Sequence, residues 1–264
     1  MDGALPESPP RLWSHLPAAT RRLMAGHIVV VIVGGLAIDR AWGWTGQHLA
    51  TVWTLGVLAW LIAIGRRRER RALGWCIALA GFGEVVLSLG WQVYDYQFGN
   101  LPAFVPPGHA LLMTLGVLVQ PLVRARHVAL VSAAATLWGA AAMWRGTDEF
   151  GAGLALVFLL CVAASRGRAL YAAMFVLALL MELYGTALGN WAWRAIVPGT
   201  GWSAANPPFA AGAFYALLDL LVLALVTERQ HQPTSLELRA LEGGEAAFLP
   251  LREIHRPIGA EPGQ

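Results

Sequence analysis

The sequence predicts an all-α, polytopic integral membrane protein with about eight transmembrane helices, and three observations carry that expectation. First, 57% of the 264 residues are hydrophobic and 13% are charged, with a mean hydropathy of +0.55, against roughly 25% charge in soluble domains. Second, apolar runs long enough to cross a bilayer, or nearly so with tilt, recur at residues 23–41, 48–65, 72–91, 108–123, 127–144, 150–165, 169–189 and 209–227. Third, the arginines between these runs alternate in density, as expected where cytoplasmic flanks retain positive charge. One set of connections holds Arg11, Arg21 and Arg22, then Arg66, Arg67, Arg68, Arg70 and Arg71, then Arg124 and Arg126, Arg166 and Arg168, and Arg229. The other set holds Arg40, Arg145 and Arg194, three against thirteen. That alternation predicts eight spans with both termini cytoplasmic. The short sixth run leaves seven as the alternative count.

The N-terminal segment 1–22 is polar and proline-rich, and it is not expected to be a cleaved signal peptide, because no small-residue cleavage pattern follows it. All nineteen basic residues are arginine, and they cluster between apolar runs. No aromatic-interleaved basic face of the kind that binds nucleic acid is present, despite a pI near 9.2. Cys76 and Cys161 sit far apart inside apolar runs and read as packing residues, with neither a disulfide framework nor a CxxC site. The segment 228–264 mixes charge, glycine and proline and predicts a flexible cytoplasmic tail with one short helix near Leu236 to Leu241.

Two stretches echo each other: "GEVVLSLGWQVYDYQFGNLPAFVPPGHALLM" and "MELYGTALGNWAWRAIVPGTGWSAANPPFAAGAFY". Each carries a glutamate inside an apolar run (Glu84, Glu182), then a glycine (Gly90, Gly189), paired aromatics (Tyr94 and Tyr96; Trp191 and Trp193) and a double proline opening the next run (Pro106 and Pro107; Pro207 and Pro208). The spacing predicts a duplication into two four-helix repeats, residues 23–123 and 124–227, of the same orientation.

Counting rise along the runs places Glu84 about 18 Å into a core about 30 Å thick, Glu182 at similar depth and Asp219 near the midplane. A carboxylate in hydrocarbon is costly, so such groups face the bundle interior and pair, hydrogen-bond or stay protonated. Glu84, Glu182 and Asp219 are therefore the candidate catalytic residues. Trp91, Tyr94, Tyr96, Trp191 and Trp193 are candidate pocket walls as well as interfacial belt residues. Asn100, His109, Tyr184, Asn190 and Asn206 complete the candidate binding set. Asp95 and Arg194 occupy matching places and predict a loop-to-loop ion pair. With His27 and His109 the only histidines inside or against the spans apart from those that open runs, His48 and His127, no metal or haem site is expected, and no GxSxG, HExxH or P-loop pattern occurs. No cofactor is expected.

A glutamate-bearing helix, glycines, an aromatic pair and a proline-opened helix resemble the pattern of bacterial carotenoid hydratases and lycopene cyclase-type membrane proteins. The segment "YGTALGNWAW…PPFAAGAFYALLDLL", Tyr184 to Leu221, is similar in cadence to the sterol isomerase (emopamil-binding) domain. The resemblance covers about a quarter of the chain. The histidine and acid spacing of the isomerases and the paired acids of the cyclases are not reproduced. What it implies is a multi-helix enzyme that acts on an isoprenoid-like lipid by proton transfer: hydration, cyclisation or double-bond isomerisation. A proton- or cation-coupled transporter or lipid-binding protein and a non-catalytic assembly subunit are the alternatives. The expected partners are the bilayer, a hydrophobic ligand and, optionally, further copies of the chain, in a bacterial-type inner membrane.

Overall fold

The computed structural model describes residues 12–228. Its elements run α1 Ala18–Ile64, α2 Arg67–Glu84, β1 Tyr94–Tyr96, α3 Val105–Val119, α4 Ala125–Arg145, α5 Glu149–Ala164, α6 Arg168–Leu188, β2 Trp191–Trp193 and α7 Gly212–Glu228. A π-helical turn, Val85–Gly90, prolongs α2. The fold is thus predominantly helical, and five of its helices are long and apolar enough to cross a membrane; α5 and α7 are shorter apolar helices. Large apolar side chains such as Leu23, Val52, Phe82, Leu137 and Trp144 stand on the outer surface, the arrangement a hydrocarbon solvent favours. Of the expected tail 228–264, residues 229–264, with the short helix expected near Leu236 to Leu241, lie outside the described residues.

The first two apolar runs form one element. A straight helix of 47 residues would be about 70 Å long, more than twice the thickness of a bilayer core. The backbone instead turns at Gly43, where φ is 58° and ψ −136°, outside the helical region and readily adopted by glycine alone. A Cβ added to Gly34 would lie 3.1 Å from the Trp53 ring, and one added to Gly46 would lie 2.0 Å from the Ile38 carbonyl oxygen. Residues on either side of Gly43 are therefore neighbours, and α1 is a helical hairpin of two antiparallel arms.

The remaining boundaries follow local chemistry. Glu69 accepts from the backbone N–H of Arg66 at the start of α2 and also from that of Trp13, at 3.1 Å each, tying the segment before α1 to α2. α1 itself begins five residues before the expected boundary at 23. Two prolines open α3, where missing N–H groups cost nothing. Gly146 and Gly189 close α4 and α6 in the left-handed region.

α3 is the central helix, with Ala110 to Val117 all buried as it packs against α1, α2 and α6. α4 and α5 pair with each other and with α6, and α6 also packs on α1. The segments 23–123 and 124–227 therefore share one core, and each contributes one helix, α2 or α6, that ends in an aromatic strand.

Candidate active site

Those two strands meet. β1 and β2 pair antiparallel, Tyr94 opposite Trp193, Asp95 opposite Ala192 and Tyr96 opposite Trp191. Side chains alternate across a strand, so four aromatics share the inner face while Asp95 and Ala192 point out. On the outer face Arg194 Nη2 lies 2.8 Å from Asp95 Oδ2, a partly exposed ion pair that staples one strand to the other.

The inner face holds the two glutamates. The phenols of Tyr94 and Tyr96 donate to Glu84 Oε2 at 2.7 and 2.8 Å. The indoles of Trp191 and Trp193 donate to Glu182 Oε2 at 2.8 and 3.1 Å. Each remaining carboxylate oxygen meets the helix that follows its strand: Tyr215 of α7 donates to Glu182 Oε1 at 3.2 Å, and His109 Nε2 of α3 lies 3.5 Å from Glu84 Oε1. The His109 and Tyr215 rings stack at 4.8 Å, 5° from parallel, so the two acids sit on either side of one stacked pair.

Tautomer and donor type give the two acids different neighbours. His109 Nδ1 lies 2.9 Å from the Val105 carbonyl oxygen, which only accepts, so Nδ1 carries the hydrogen and Nε2 is left to exchange a proton with Glu84. Burial, then the charge of Glu84, pushes the Tyr94 and Tyr96 hydroxyls well above the ordinary phenol range, keeping both as donors. A phenol also accepts and can relay a proton, whereas an indole N–H only donates. The Glu84 half can pass protons; the Glu182 half clamps its carboxylate with two indoles and one phenol.

Two spaces border this cluster. An inner cavity of about 80 Å³ reaches between the α1 hairpin and α3, with Val31, Leu36, Ala50 and Leu111 among its walls. An outer groove of about 280 Å³ lies between α2 and α7, bordered by Phe82, Leu87, Leu217 and Leu221. Glu84, Tyr94, His109, Glu182, Trp193 and Tyr215 line both. Phe82 is 70% exposed, so the groove opens sideways among lipid-facing side chains.

Several expected site residues lie elsewhere. Asp219 is fully buried but borders neither space; it sits four residues after Tyr215, one turn further along α7, so the depth that matched it to the glutamates did not bring it to them. Trp91 donates to the Pro198 carbonyl at 2.7 Å at the loop surface. Tyr184 donates to the Val33 carbonyl at 3.3 Å. Asn206 accepts from the Trp193 backbone N–H at 3.0 Å, positioning β2. Asn100 and Asn190 join a separate polar cluster around Asp39. Among the described residues no group of three or more His, Cys, Asp or Glu side chains is arranged to hold a metal ion.

Sequence reasoning missed Tyr215, although a signal existed: "HALL" at 109–112 and "YALL" at 215–218 each follow a proline pair, and their first residues are the stacked rings. It also missed Asp148, the α5 N-cap. Its Oδ1 accepts from Gly151 and Ala205 N–H, and its Oδ2 from Phe209 N–H, at 2.8–3.1 Å, pinning the loop that leads into α7. Asp148→Ala leaves three backbone donors unpaired, one buried and two half-buried, and is expected to cost about 2–4 kcal/mol, read as a lowered midpoint in denaturant unfolding, while Asp148→Asn, which keeps one accepting oxygen, recovers part of the loss.

No family model matches the chain, and no curated protein or solved structure matches it.

Proposed function

We propose that the chain is a membrane-embedded, metal-independent enzyme that acts by proton transfer on a hydrophobic, isoprenoid-like lipid: hydration, cyclisation or double-bond isomerisation. In this reading eight spans, the two arms of α1 and the six later helices, form two four-helix repeats of one orientation, with both termini cytoplasmic in a bacterial-type inner membrane. The lipid enters through the groove between α2 and α7, and its reacting carbons lie beside the stacked His109 and Tyr215 rings. Glu84, relayed through His109 Nε2, gives and takes the proton. Glu182, clamped by its indoles, faces the positive charge that develops on the substrate, and the aromatic faces of the ribbon stabilise that charge further.

The observation that carries the reading is the meeting of two buried glutamates across one His109–Tyr215 stack, beside an apolar groove bordered by lipid-facing Phe82 and Leu221. A transporter needs water to reach the acids from both sides of the membrane, whereas a lipid enzyme needs a side opening. Cysteines at Leu87 and Leu218, which line the groove, are expected to react in intact membranes with a hydrocarbon-soluble maleimide and to resist a charged one. Fast labelling of both by the charged reagent, from either side, would favour the transporter. The direct test of function is conversion. The purified full chain, given the total lipid extract of the membrane it comes from, is expected to turn one lipid into its isomer, cyclised form or hydrate, and an unchanged lipid profile would reject the enzyme.

A further inference from the structure

The inner cavity ends on a hydroxyl that the protein leaves unused. Thr51, Thr114, Thr136, Thr186 and Thr227 each donate to the carbonyl four residues earlier in their own helix, at 2.7 or 2.8 Å, a common arrangement for a threonine inside a helix. Thr54, on the second arm of α1, does not. It is 5% exposed, and among the described residues its Oγ1 has no hydrogen-bond partner. Packing seals the unpartnered oxygens of Asp219, whereas Thr54 borders the inner cavity.

The register of the α1 hairpin fixes where that hydroxyl lies. A Cβ on Gly35 would lie 3.8 Å from that of Ala50, so Thr54, four residues further along the second arm, is level with Val31, four residues earlier on the first. Leu36, whose carbonyl accepts from Asn190 Nδ2 beside β2 at 3.1 Å, borders the cavity at the ribbon end. Thr54 and Val31 border it one turn further away, about 6 Å beyond Ala50 and Gly35. The walls around that end are aliphatic, with Ile32, Leu111 and Leu112. The other polar side chains of the cavity belong to the glutamate cluster and are paired there.

These features select an occupant. A buried water typically makes about three hydrogen bonds, and Thr54 offers one among aliphatic walls. An oxygen carried on carbon is satisfied by that one, while its chain fills the apolar space. A cavity of about 150 Å³ takes a benzene ring, so one of about 80 Å³ takes a short chain end and excludes a ring. A carbonyl is met by the single Thr54 O–H, whereas an alcohol paired with it keeps one hydrogen without an acceptor.

Resting on the reading that one lipid lies past the His109–Tyr215 stack, we propose that its acyclic end carries a carbonyl oxygen and that Thr54 donates to it. The inner cavity is the end subsite, and the groove between α2 and α7 takes the rest of the chain. Thr54 thereby sets which end enters and which carbons lie beside Glu84.

The probes are farnesal, farnesol and farnesene, one branched acyclic skeleton ending in an aldehyde, an alcohol or a hydrocarbon. Each is titrated into the purified full chain at matched mole fractions in detergent, with thermal unfolding as the readout; the chain has no lysine side chain to form an imine with the aldehyde. Farnesal is expected to raise Tm saturably, with a half-saturating mole fraction about five- to tenfold below those of the other two. Thr54→Val removes an unpaired buried hydroxyl and is expected to fold with an unchanged or higher Tm, to bind farnesene as wild type does and to lose the preference for farnesal. Thr54→Ser is expected to keep it. No saturable response to any probe, equal half-saturation by farnesal and farnesene, tighter binding of farnesol than of farnesal, or a farnesal preference that survives Thr54→Val would each overturn the proposal. An unchanged lipid extract beside an intact, Thr54-dependent preference would reject the enzyme and leave the subsite standing, and loss of the preference alone would reject only the subsite.

Discussion

Alanine at Gly46 is expected to lower stability by about 3 kcal/mol or more, at or above the upper end of the usual overpacking range. The added Cβ would meet the Ile38 carbonyl oxygen at 2.0 Å, its carbon at 2.8 Å and Asp39 Cα at 3.0 Å. All three are backbone atoms, so no rotamer change relieves the contact and the two arms of α1 must separate. Separation also pulls Asp39 from Gln47, exposing a buried carboxylate whose partners belong to the ribbon. The contrast is Gly56, in the second arm, and Gly74, in α2, around which nothing lies within 4 Å. Alanine there is expected to be neutral or to stabilise by up to about 1 kcal/mol through helix propensity. Thermal unfolding of the three variants side by side checks the hairpin: equal midpoints would contradict it.

Glutamine at Glu84 is expected to reduce lipid conversion by about 10²- to 10⁴-fold, the usual contribution of a positioned general acid or base. The amide keeps one oxygen for the Tyr94 and Tyr96 hydroxyls but has no proton to exchange with His109 Nε2. His109→Phe retains the stack on Tyr215 and loses the same exchange, so a fall of similar size is expected. Glutamine at Glu182 places an NH2 group against either the two indole donors or the Tyr215 hydroxyl, and it removes the charge facing the substrate cation; a comparable loss is expected. The three substitutions disable one unit. The Glu84→Gln, Glu182→Gln double variant is therefore expected to fall little below the worse single, not to multiply the two losses. Unchanged unfolding midpoints separate this effect from misfolding.

The helices were legible because hydropathy is a local signal: the runs at 72–91 and 169–189 correspond closely to α2 with its π-turn and to α6. The two glutamates were legible as a matched pair through the echo between the two stretches, but whether they meet was not, because that depends on Tyr94, Tyr96, Trp191 and Trp193 sharing one face of a ribbon. The ribbon itself was not legible. Three-residue strands are too short to show an alternating pattern, and tryptophan and tyrosine beside an apolar run also fit an interfacial belt. Nor was the Asp39 cluster, because Asp39 ends one arm and Gln47 begins the next, and neither is unusual alone. The Gly43 turn gives their proximity a physical cause that no helical periodicity contains. Asp219 shows the opposite failure: it faces the protein interior, as expected of an acid in an apolar run, but a count along the run does not specify which neighbours a residue meets.

The central claim is that Glu84 moves a proton to or from carbon in a bound lipid while Glu182 faces the charge that develops there, and deuterium uptake tests it most directly. Wild type and the Glu84→Gln, Glu182→Gln variant are incubated in D2O with the lipid extract of their own membrane, and the lipids are recovered into H2O and weighed by mass spectrometry. Wild type is expected to leave non-exchangeable deuterium in one lipid class, and the variant no more than a protein-free control. Equal uptake by both proteins, or none by wild type, would contradict the account.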